Sequence, residues 1–299
     1  MPRSRRPRAA VRAVVEALPR HHRLPLRGTT VLVTGGASGI GRLMALGAAR
    51  RGASRVLVWD LDLPAAAAVA AEVRALGAQA GAERVDVTDA AAVEAAAARA
   101  GDVDVAVNNA GVVTGVRLEE ATEEGIRRTF EVNALAPYWL TRAVLPGMRA
   151  RDRGAVVTVA SAAGLVGVAR QTDYSATKHA AVGFAESLGA ELRRDGSRVT
   201  SLAVCPFYID TGMFEGVHSR LPWLLPVLRQ EDVAEEVLDA VEAGRTRLLL
   251  PRAVGLIAPL RALPPPVFDR AMDVLGVNAT MDGFTGRRAR LFAANEAAR

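Results

Sequence analysis

A glycine-rich turn between a strand pattern and a helix pattern is the feature that most restricts how this chain can fold. Residues 29–34 form an apolar, β-branched run, and residues 43–51 have helical spacing. Between them lies Gly35-Gly36-Ala37-Ser38-Gly39-Ile40-Gly41. Glycines permit a tight turn and let the backbone approach a pyrophosphate at the positive end of the helix. The order strand, turn, helix therefore predicts a phosphate-binding loop, and a purely structural turn is the less favoured alternative.

Strand-like and helix-like patterns alternate along the chain as far as residue 250. Short apolar runs typical of strands lie at residues 29–34, 55–59, 83–87, 103–107, 154–160, 197–205 and 246–250. Helical patterns lie at residues 64–76, 88–100, 119–151, 172–194 and 230–243. This alternation predicts an α/β fold, a parallel sheet with helices on both faces. We expect one domain, residues 28–250, between a basic extension at residues 1–27 and a helical extension at residues 251–299.

Polar residues stand at the ends of several predicted strands. Asp60 follows the second strand, 25 positions after Gly35. A carboxylate there can bond to the adenosine ribose and repel a 2′-phosphate, which favours NAD over NADP, whereas a solvated aspartate is the alternative. Asp86 lies at the end of the third strand. Asn108-Asn109 follow the fourth, and we expect their amides to line the adenine side of a nucleotide cleft.

A hydroxyl, a phenol and an ammonium follow the fifth predicted strand, as Ser161, Tyr174 and Lys178. On a helix, Tyr174 and Lys178 share one face because they are four residues apart. A nearby ammonium in a poorly hydrated cleft lowers the phenol pKa from its usual value of about 10, so the phenol can serve as a base. Lys178 is the only lysine in a chain with 38 Lys plus Arg, which singles it out. A surface lysine beside a core tyrosine is the alternative.

Two other residues stand out against their surroundings. Asn133 lies inside a helix pattern although asparagine is a poor helix former, and we interpret it as bonding across a groove rather than to solvent. Cys205 is the only cysteine and ends an apolar run, which predicts a buried, inert thiol in a reducing compartment.

These motifs occur together in an order that resembles the short-chain dehydrogenase/reductases. The matching positions are Thr34-Gly35-x-x-x-Gly39-x-Gly41, Asn108-Asn109-Ala110-Gly111, Asn133, Ser161 and Tyr174-x-x-x-Lys178, within residues 28–250. The resemblance implies a Rossmann-type doubly wound parallel sheet of about seven strands. It also implies an NAD-dependent oxidoreductase that interconverts an alcohol and its carbonyl, without a metal site.

The resemblance also implies a role for each matched residue. Tyr174 would be the general acid or base, and Ser161 would hold the substrate oxygen. Lys178 would bind the nicotinamide ribose and lower the Tyr174 pKa, and Asn133 would hold a water of the proton relay. The implied cofactor contacts are Gly35, Ser38, Gly39, Ile40, Gly41, Asp60, Asp86, Val87, Asn109, Tyr174, Lys178, Ile209 and Thr211.

The last third of the chain resembles one branch of that family, the retinol dehydrogenases and 17-beta-hydroxysteroid dehydrogenase type 11. The similar segments are residues 205–216, 221–228 and 275–287. This branch oxidises lipophilic alcohols and often associates with membranes or lipid droplets. The chain has Phe207 where a glycine usually follows the proline in the wider superfamily, and its amino terminus differs from the hydrophobic anchor of the branch.

The apolar residues of segment 207–229 predict a lid over a pocket for a retinol-, steroid- or fatty-alcohol-like substrate. A lid that only packs on its own domain is the alternative. Residues 251–299 suit a pocket wall, a homo-oligomer contact (a dimer or tetramer) or a membrane-surface contact. A second functional hypothesis is a catalytically silent NAD-binding sensor or scaffold, which need not retain all four of Asn133, Ser161, Tyr174 and Lys178.

Charge and hydropathy restrict location and partners. The formal net charge is +6, and much of the excess comes from arginines in residues 1–27. That segment is interpreted as a solvated tail, with membrane-surface adsorption as the alternative, and it lacks the interleaved aromatics expected of a nucleic-acid binder. We expect no transmembrane helix and no signal peptide, hence a cytoplasmic protein with peripheral membrane contact at most.

Overall fold

The computed structural model describes residues 22–286, so the predictions for residues 1–21 and 287–299 lie outside the described part. The strands are β1 Thr30–Thr34, β2 Arg55–Asp60, β3 Gln79–Arg84, β4 Val105–Asn108, β5 Ala155–Val159, β6 Thr200–Pro206 and β7 Arg247–Leu250. They form one parallel sheet in the order β3-β2-β1-β4-β5-β6-β7. This order confirms the doubly wound, Rossmann-type fold predicted from the alternation and the resemblance.

Helices connect successive strands and follow the last one. They are α1 Gly39–Arg50, α2 Leu63–Ala75, α3 Ala90–Ala100, α4 Glu123–Phe130, α5 Ala136–Ala150, α6 Thr172–Arg194, α7 Gln230–Glu242, α8 Ile257–Leu260 and α9 Pro265–Val274. A π-helical turn, Glu131–Leu135, joins α4 to α5. Within residues 22–286, no helix combines the length and the apolar content that crossing a membrane requires.

Both faces of the sheet are buried under helices. Val31 and Val33 of β1 pack with Met44 of α1 in one core cluster, to which α2 and α7 also contribute. Leu32, between them in sequence, points to the opposite face and packs with Leu140 of α5, beside α3 and α6. Strands buried on both faces carry apolar residues at every position, which is why they were recognisable as continuous apolar runs.

Two predicted elements differ from the structure. The third strand was expected at residues 83–87 but spans Gln79–Arg84, so Asp86 lies two residues beyond its end. This strand is at the sheet edge and is only partly buried, so its sequence lacks the apolar run that marks the others. The single helix expected at residues 119–151 is divided by the π-helical turn, which contains Asn133.

The chain beyond β7 packs against the segment that follows β6. Met272 of α9 and Val277 form a buried cluster with Val166, and Leu225 packs against it. The backbone amide of His218 donates to the Thr280 carbonyl at 3.3 Å, and that of Thr285 donates to the Glu215 carbonyl at 2.9 Å. The predicted lid and the C-terminal extension therefore form one joined layer.

Helix α7 packs closely on α1, since a Cβ atom at Gly47 would lie 2.5 Å from Leu238 Cδ1. We expect Leu238→Ala to lower the free energy of unfolding by about 2–5 kcal/mol, because it leaves a cavity in a tightly packed core. Urea denaturation measures this. Leu118→Ala is the matched control, since Leu118 is 61% exposed whereas Leu238 is 1% exposed. Equal losses for the two variants would contradict the packing described.

Candidate active site

A cavity of about 650 Å³ opens at the carboxyl edge of the sheet. The chain proceeds from β1 toward β3 on one side and from β4 toward β7 on the other, so the strand order reverses between β1 and β4. Loops at such a reversal diverge and leave a crevice for a ligand. Residues that follow β1, β2, β4, β5 and β6 all contribute to the cavity wall.

The glycine turn forms one end of the cavity. Gly35 and Gly39 have φ angles of +61° and +54°, which side-chain-bearing residues rarely adopt. A Cβ atom at Gly41 would lie 2.3 Å from the Gly35 carbonyl oxygen, so a side chain cannot be accommodated there. Helix α1 begins at Gly39 and directs the positive end of its dipole at this turn. The turn therefore provides a close backbone approach for a phosphate, as predicted.

Thr34 and Asn109 hold the turn in place. The Asn109 side-chain amide donates to the carbonyls of Thr34 and Gly35 at 2.9 and 3.1 Å. The Thr34 hydroxyl accepts from the backbone amides of Asn109 and Ala110 at 3.0 and 3.2 Å. The role of Thr34 was not predicted from the sequence, although a threonine directly before the glycine turn was the available signal.

The expected role of the two asparagine amides changes accordingly. Asn109 lines the cavity, but its side chain holds the glycine turn instead of being directed at an adenine. Asn108 is buried, and its amide donates to the Thr141 hydroxyl at 3.3 Å. The prediction that Asn108 lines the nucleotide cleft was wrong, because the alternation of side chains along β4 turns it into the interior.

Two carboxylates line the cavity next to the glycine turn. Asp60 accepts from the backbone amides of Ala37 at 3.0 Å and Asp62 at 3.1 Å, so it is fixed beside the turn. Asp86 accepts from the Thr88 backbone amide, and this bond, with a second from the Thr88 hydroxyl, lowers the Asp86 pKa. Val87, Ile209 and Thr211 line the same cavity. The structure thus brings every cofactor contact implied by the resemblance to the wall of one cavity, whereas Asn108 lies outside it.

Ser161, Tyr174 and Lys178 meet at the other side of the cavity. Ser161 follows β5, while Tyr174 and Lys178 face it from α6 and are only 5% and 4% exposed. The Ser161 hydroxyl faces the Tyr174 phenol and partly opposes the effect of burial on its pKa, while Ser161 Oγ accepts from the Ala163 backbone amide at 3.1 Å. Lys178 Nζ donates to the Val159 carbonyl at 2.8 Å and lies 5.5 Å from the centre of the Tyr174 ring. The spacing in sequence therefore corresponds to one compact group of side chains.

Burial controls the protonation of this group. It raises the pKa of the Tyr174 phenol, and the hydrogen bond with Ser161 opposes that change only in part. It lowers the pKa of the Lys178 ammonium to about 8. The prediction of a lowered Tyr174 pKa therefore does not hold for the protein without cofactor. Burial destabilises the charged phenolate by more than Ser161 stabilises it, so the net change of the pKa is upward. Burial likewise raises the pKa of Cys205 to about 11, as expected of an inert thiol.

Asn133 bonds across a groove, as predicted. Its Oδ1 accepts from the Val112 backbone amide at 2.9 Å, and its Nδ2 donates to the Val112 carbonyl at 2.8 Å and to the Thr177 hydroxyl at 3.3 Å. Both amide hydrogens are thus engaged, which leaves the side chain no donor for a relay water. The side chain instead connects the loop after β4 to helix α6, one residue before Lys178.

The remaining wall of the cavity is mainly apolar. Phe214 of the lid segment lies edge-on to Tyr174, with ring centres 5.8 Å apart. The lid and a contribution from the C-terminal extension were predicted from the sequence, but no individual lining residue beyond 229 was. The lining residues that the extension contributes include Val254, Ile257, Leu260, Met272, Leu275 and Val277. Gln171 also lines the cavity and was not recognised, because a single glutamine before a helix carries no distinctive signal.

Comparisons with known proteins agree with this geometry. A family profile described as short chain dehydrogenase matches residues 29–221. The chain is 38% identical to epidermal retinol dehydrogenase 2 of Mus musculus over 291 residues, which cover 92% of this chain and 93% of the relative. It is 36% identical to estradiol 17-beta-dehydrogenase 11 of Rattus norvegicus over 266 residues, 87% of each chain.

A solved structure is also similar. A short chain dehydrogenase/reductase from Burkholderia phymatum, crystallised in complex with NAD, aligns with a TM-score of 0.72 at 28% identity. The alignment covers 80% of this chain and 94% of that one.

The close approach at Gly41 generates a test of the glycine turn. We expect Gly41→Ala to weaken NAD binding at least about tenfold, because the added methyl group displaces the Gly35 carbonyl and the Asn109 amide. Titration calorimetry with NAD measures this. Gly183→Ala is the control, since a Cβ atom at Gly183 meets nothing within 4 Å. Unchanged affinity in Gly41→Ala would show that the turn does not approach the cofactor.

Proposed function

The chain belongs to the short chain dehydrogenase family, and we propose that it interconverts a lipophilic alcohol and its carbonyl compound with Tyr174 as the general acid or base. It is an oxidoreductase of the CH–OH group with NAD as its cofactor, within the branch that includes retinol and 17-beta-hydroxysteroid dehydrogenases. The position of Ser161, Tyr174 and Lys178 side by side in the wall of an apolar cavity is the observation that carries the proposal.

The cavity fits a dinucleotide. The glycine turn lacks side chains where a pyrophosphate would approach, and Asp60 is held next to it, where its charge favours a ribose hydroxyl over a 2′-phosphate. In our proposal Lys178 bonds to the nicotinamide ribose, and Ile209 and Thr211 lie beside the carboxamide. A nicotinamide held there would supply hydride transfer to or from the carbon that bears the reacting oxygen.

The residues of this chain manage the proton. Ser161 holds the substrate oxygen by a hydrogen bond, next to the Tyr174 hydroxyl. Because burial raises the Tyr174 pKa, the phenol keeps its proton near neutrality and is ready to donate it to a carbonyl oxygen during reduction. Oxidation requires the phenolate, which the charged Lys178 stabilises inside a cavity that screens charges poorly. We therefore expect the oxidation rate to rise with pH.

The apolar wall supports a lipophilic substrate. The lid and the C-terminal extension place aliphatic and aromatic side chains around the space next to Tyr174, including Phe214, Leu225, Ile257 and Leu275. Each buried methylene group contributes about 0.8 kcal/mol to binding in such surroundings. Apolar walls of this kind accept retinol-, steroid- and fatty-alcohol-like groups alike, so the proposed substrate is a lipophilic alcohol of this class.

The alternative of a silent NAD-binding protein is not favoured, because the chain retains all four of Asn133, Ser161, Tyr174 and Lys178, and the last three line one cavity. A homo-oligomer, a cytoplasmic location and peripheral membrane contact stay predictions. Trp223 at 79% exposure and Val274 at 58%, each next to a residue that lines the cavity, support the membrane contact.

The substrate class is tested with primary alcohols of increasing length and NAD, following absorbance of the reduced cofactor. We expect kcat/KM to rise by up to about fourfold per methylene until the cavity is filled. Retinol and hydroxysteroids belong in the same panel. A flat dependence on chain length, with NAD binding intact, would count against a lipophilic substrate.

The role of Tyr174 is tested by Tyr174→Phe, which removes only the hydroxyl. We expect kcat to fall by about 10²- to 10⁴-fold because proton transfer is lost, while NAD affinity changes little. Tyr138→Phe is the matched control, since Tyr138 is 43% exposed on α5, away from the cavity lining. A Tyr174→Phe enzyme with most of its activity would remove Tyr174 from the proton transfer.

A further inference from the structure

The carboxamide of Gln171 is a buried polar group in an otherwise apolar part of the cavity. Gln171 directly precedes α6, has no exposed surface and lines the cavity close to Val166, Val168 and Val277. Its side chain does not cap the helix. The Oε1 atom is one of the few buried side-chain oxygens within residues 22–286 that have no hydrogen-bond partner. Such an oxygen is costly to bury, which indicates that a ligand group completes its bonding.

A chain of hydrogen bonds with defined donors and acceptors determines which atom of the Gln171 carboxamide has no hydrogen-bond partner. The Thr280 hydroxyl donates to the Val277 carbonyl at 2.8 Å, so it can only accept from the Tyr208 hydroxyl, also at 2.8 Å. Tyr208 in turn accepts from Gln171 Nε2 at 3.4 Å. Burial raises the Tyr208 pKa to about 12, so its hydroxyl keeps the proton that this chain requires. The Nε2 group must therefore face Tyr208, and Oε1 remains as an acceptor.

The position of Gln171 relative to Tyr174 defines what it could contact. Gln171 is the N-cap residue of α6, and Tyr174 lies three residues later, in the first turn of that helix. Both line the same cavity. When the reacting oxygen of a substrate is held at Tyr174, the substrate atoms a few bonds from the carbinol carbon therefore lie near Gln171.

We propose that Gln171 is a specificity-determining residue whose carboxamide oxygen accepts a hydrogen bond from a second hydroxyl group of the substrate, close to the reacting carbon. The inference rests on the proposed function and narrows it: the preferred lipophilic alcohols carry a nearby hydrogen-bond donor. An oxygen in apolar surroundings discriminates strongly, because an analogue without the donor leaves it unpaired.

The test compares 1-decanol with derivatives that carry a hydroxyl or a methoxy group at carbon 2, 3 or 4. A methoxy group accepts but cannot donate a hydrogen bond. We expect kcat/KM to be about tenfold higher for the hydroxyl than for the methoxy derivative at one of these positions, and Gln171→Met to bring that ratio close to one. Melting temperature and NAD affinity check that the variant is folded.

A second variant tests the orientation of the carboxamide. In Thr280→Val, Tyr208 loses its acceptor and turns its proton toward Gln171, which then presents Nε2 to the cavity. The preference for the hydroxyl derivative should be lost or reversed in favour of the methoxy derivative. A preference unchanged in Thr280→Val would contradict the proposed chain.

The outcomes separate this inference from the proposed function. A wild-type ratio near one at every position, or a preference that survives in Gln171→Met, overturns the role of Gln171. If a water molecule, and not the substrate, bonds to Gln171 Oε1, the wild-type ratio is near one. If 1-decanol is oxidised while the ratio is one, only the inference fails. If neither the decanol derivatives nor retinol and the hydroxysteroids are oxidised despite NAD binding, the proposed function fails as well.

Discussion

The junction between β1 and β4 is the constraint on which the site depends. These strands are neighbours in the sheet although about 75 residues separate them in the chain, and the sheet order reverses between them. Asn109 and Thr34 bond across this junction and fix the glycine turn that follows β1. Since α1 starts in that turn, the same contacts aim the helix dipole at the cavity. The phosphate-binding geometry is thus set by a strand pairing rather than by the turn alone.

The second half of the site depends on removing charges from water. Tyr174 and Lys178 are both buried, and burial alone moves their pKa values in opposite directions, up for the phenol and down for the ammonium. Each charged form is therefore unfavourable alone, and each favours the other when they lie close together in a poorly screening cavity. The pKa values of such a pair change strongly with the charge and polarity of whatever binds next to it. This suits a site where a proton must move in either direction.

The substrate side is assembled from segments that are far apart in sequence. The lid after β6 and the chain after β7 are connected by backbone hydrogen bonds between residues 215–218 and 280–286. Together they cover the apolar end of the cavity, and the polar chain from Gln171 through Tyr208 to Thr280 crosses this layer. Through this chain, Thr280 helps to orient the Gln171 carboxamide just before α6.

Local periodicity and short spacings were enough to predict the sheet, the glycine turn, Asp60 and the group of Ser161, Tyr174 and Lys178, because such patterns can be recognised without tertiary contacts. The predicted bounds of β3 were wrong, because a partly buried edge strand has no apolar run. The predicted position of Asn108 in the cleft was also wrong, because the pleat of β4 directs its side chain into the interior. The partners of Asn109 and Asn133, and the unpaired carboxamide oxygen of Gln171, became visible in the tertiary structure alone, although the sequence did predict that Asn133 bonds across a groove. Those properties follow from hydrogen-bond partners many residues away, and side-chain type alone does not specify which partner burial will bring.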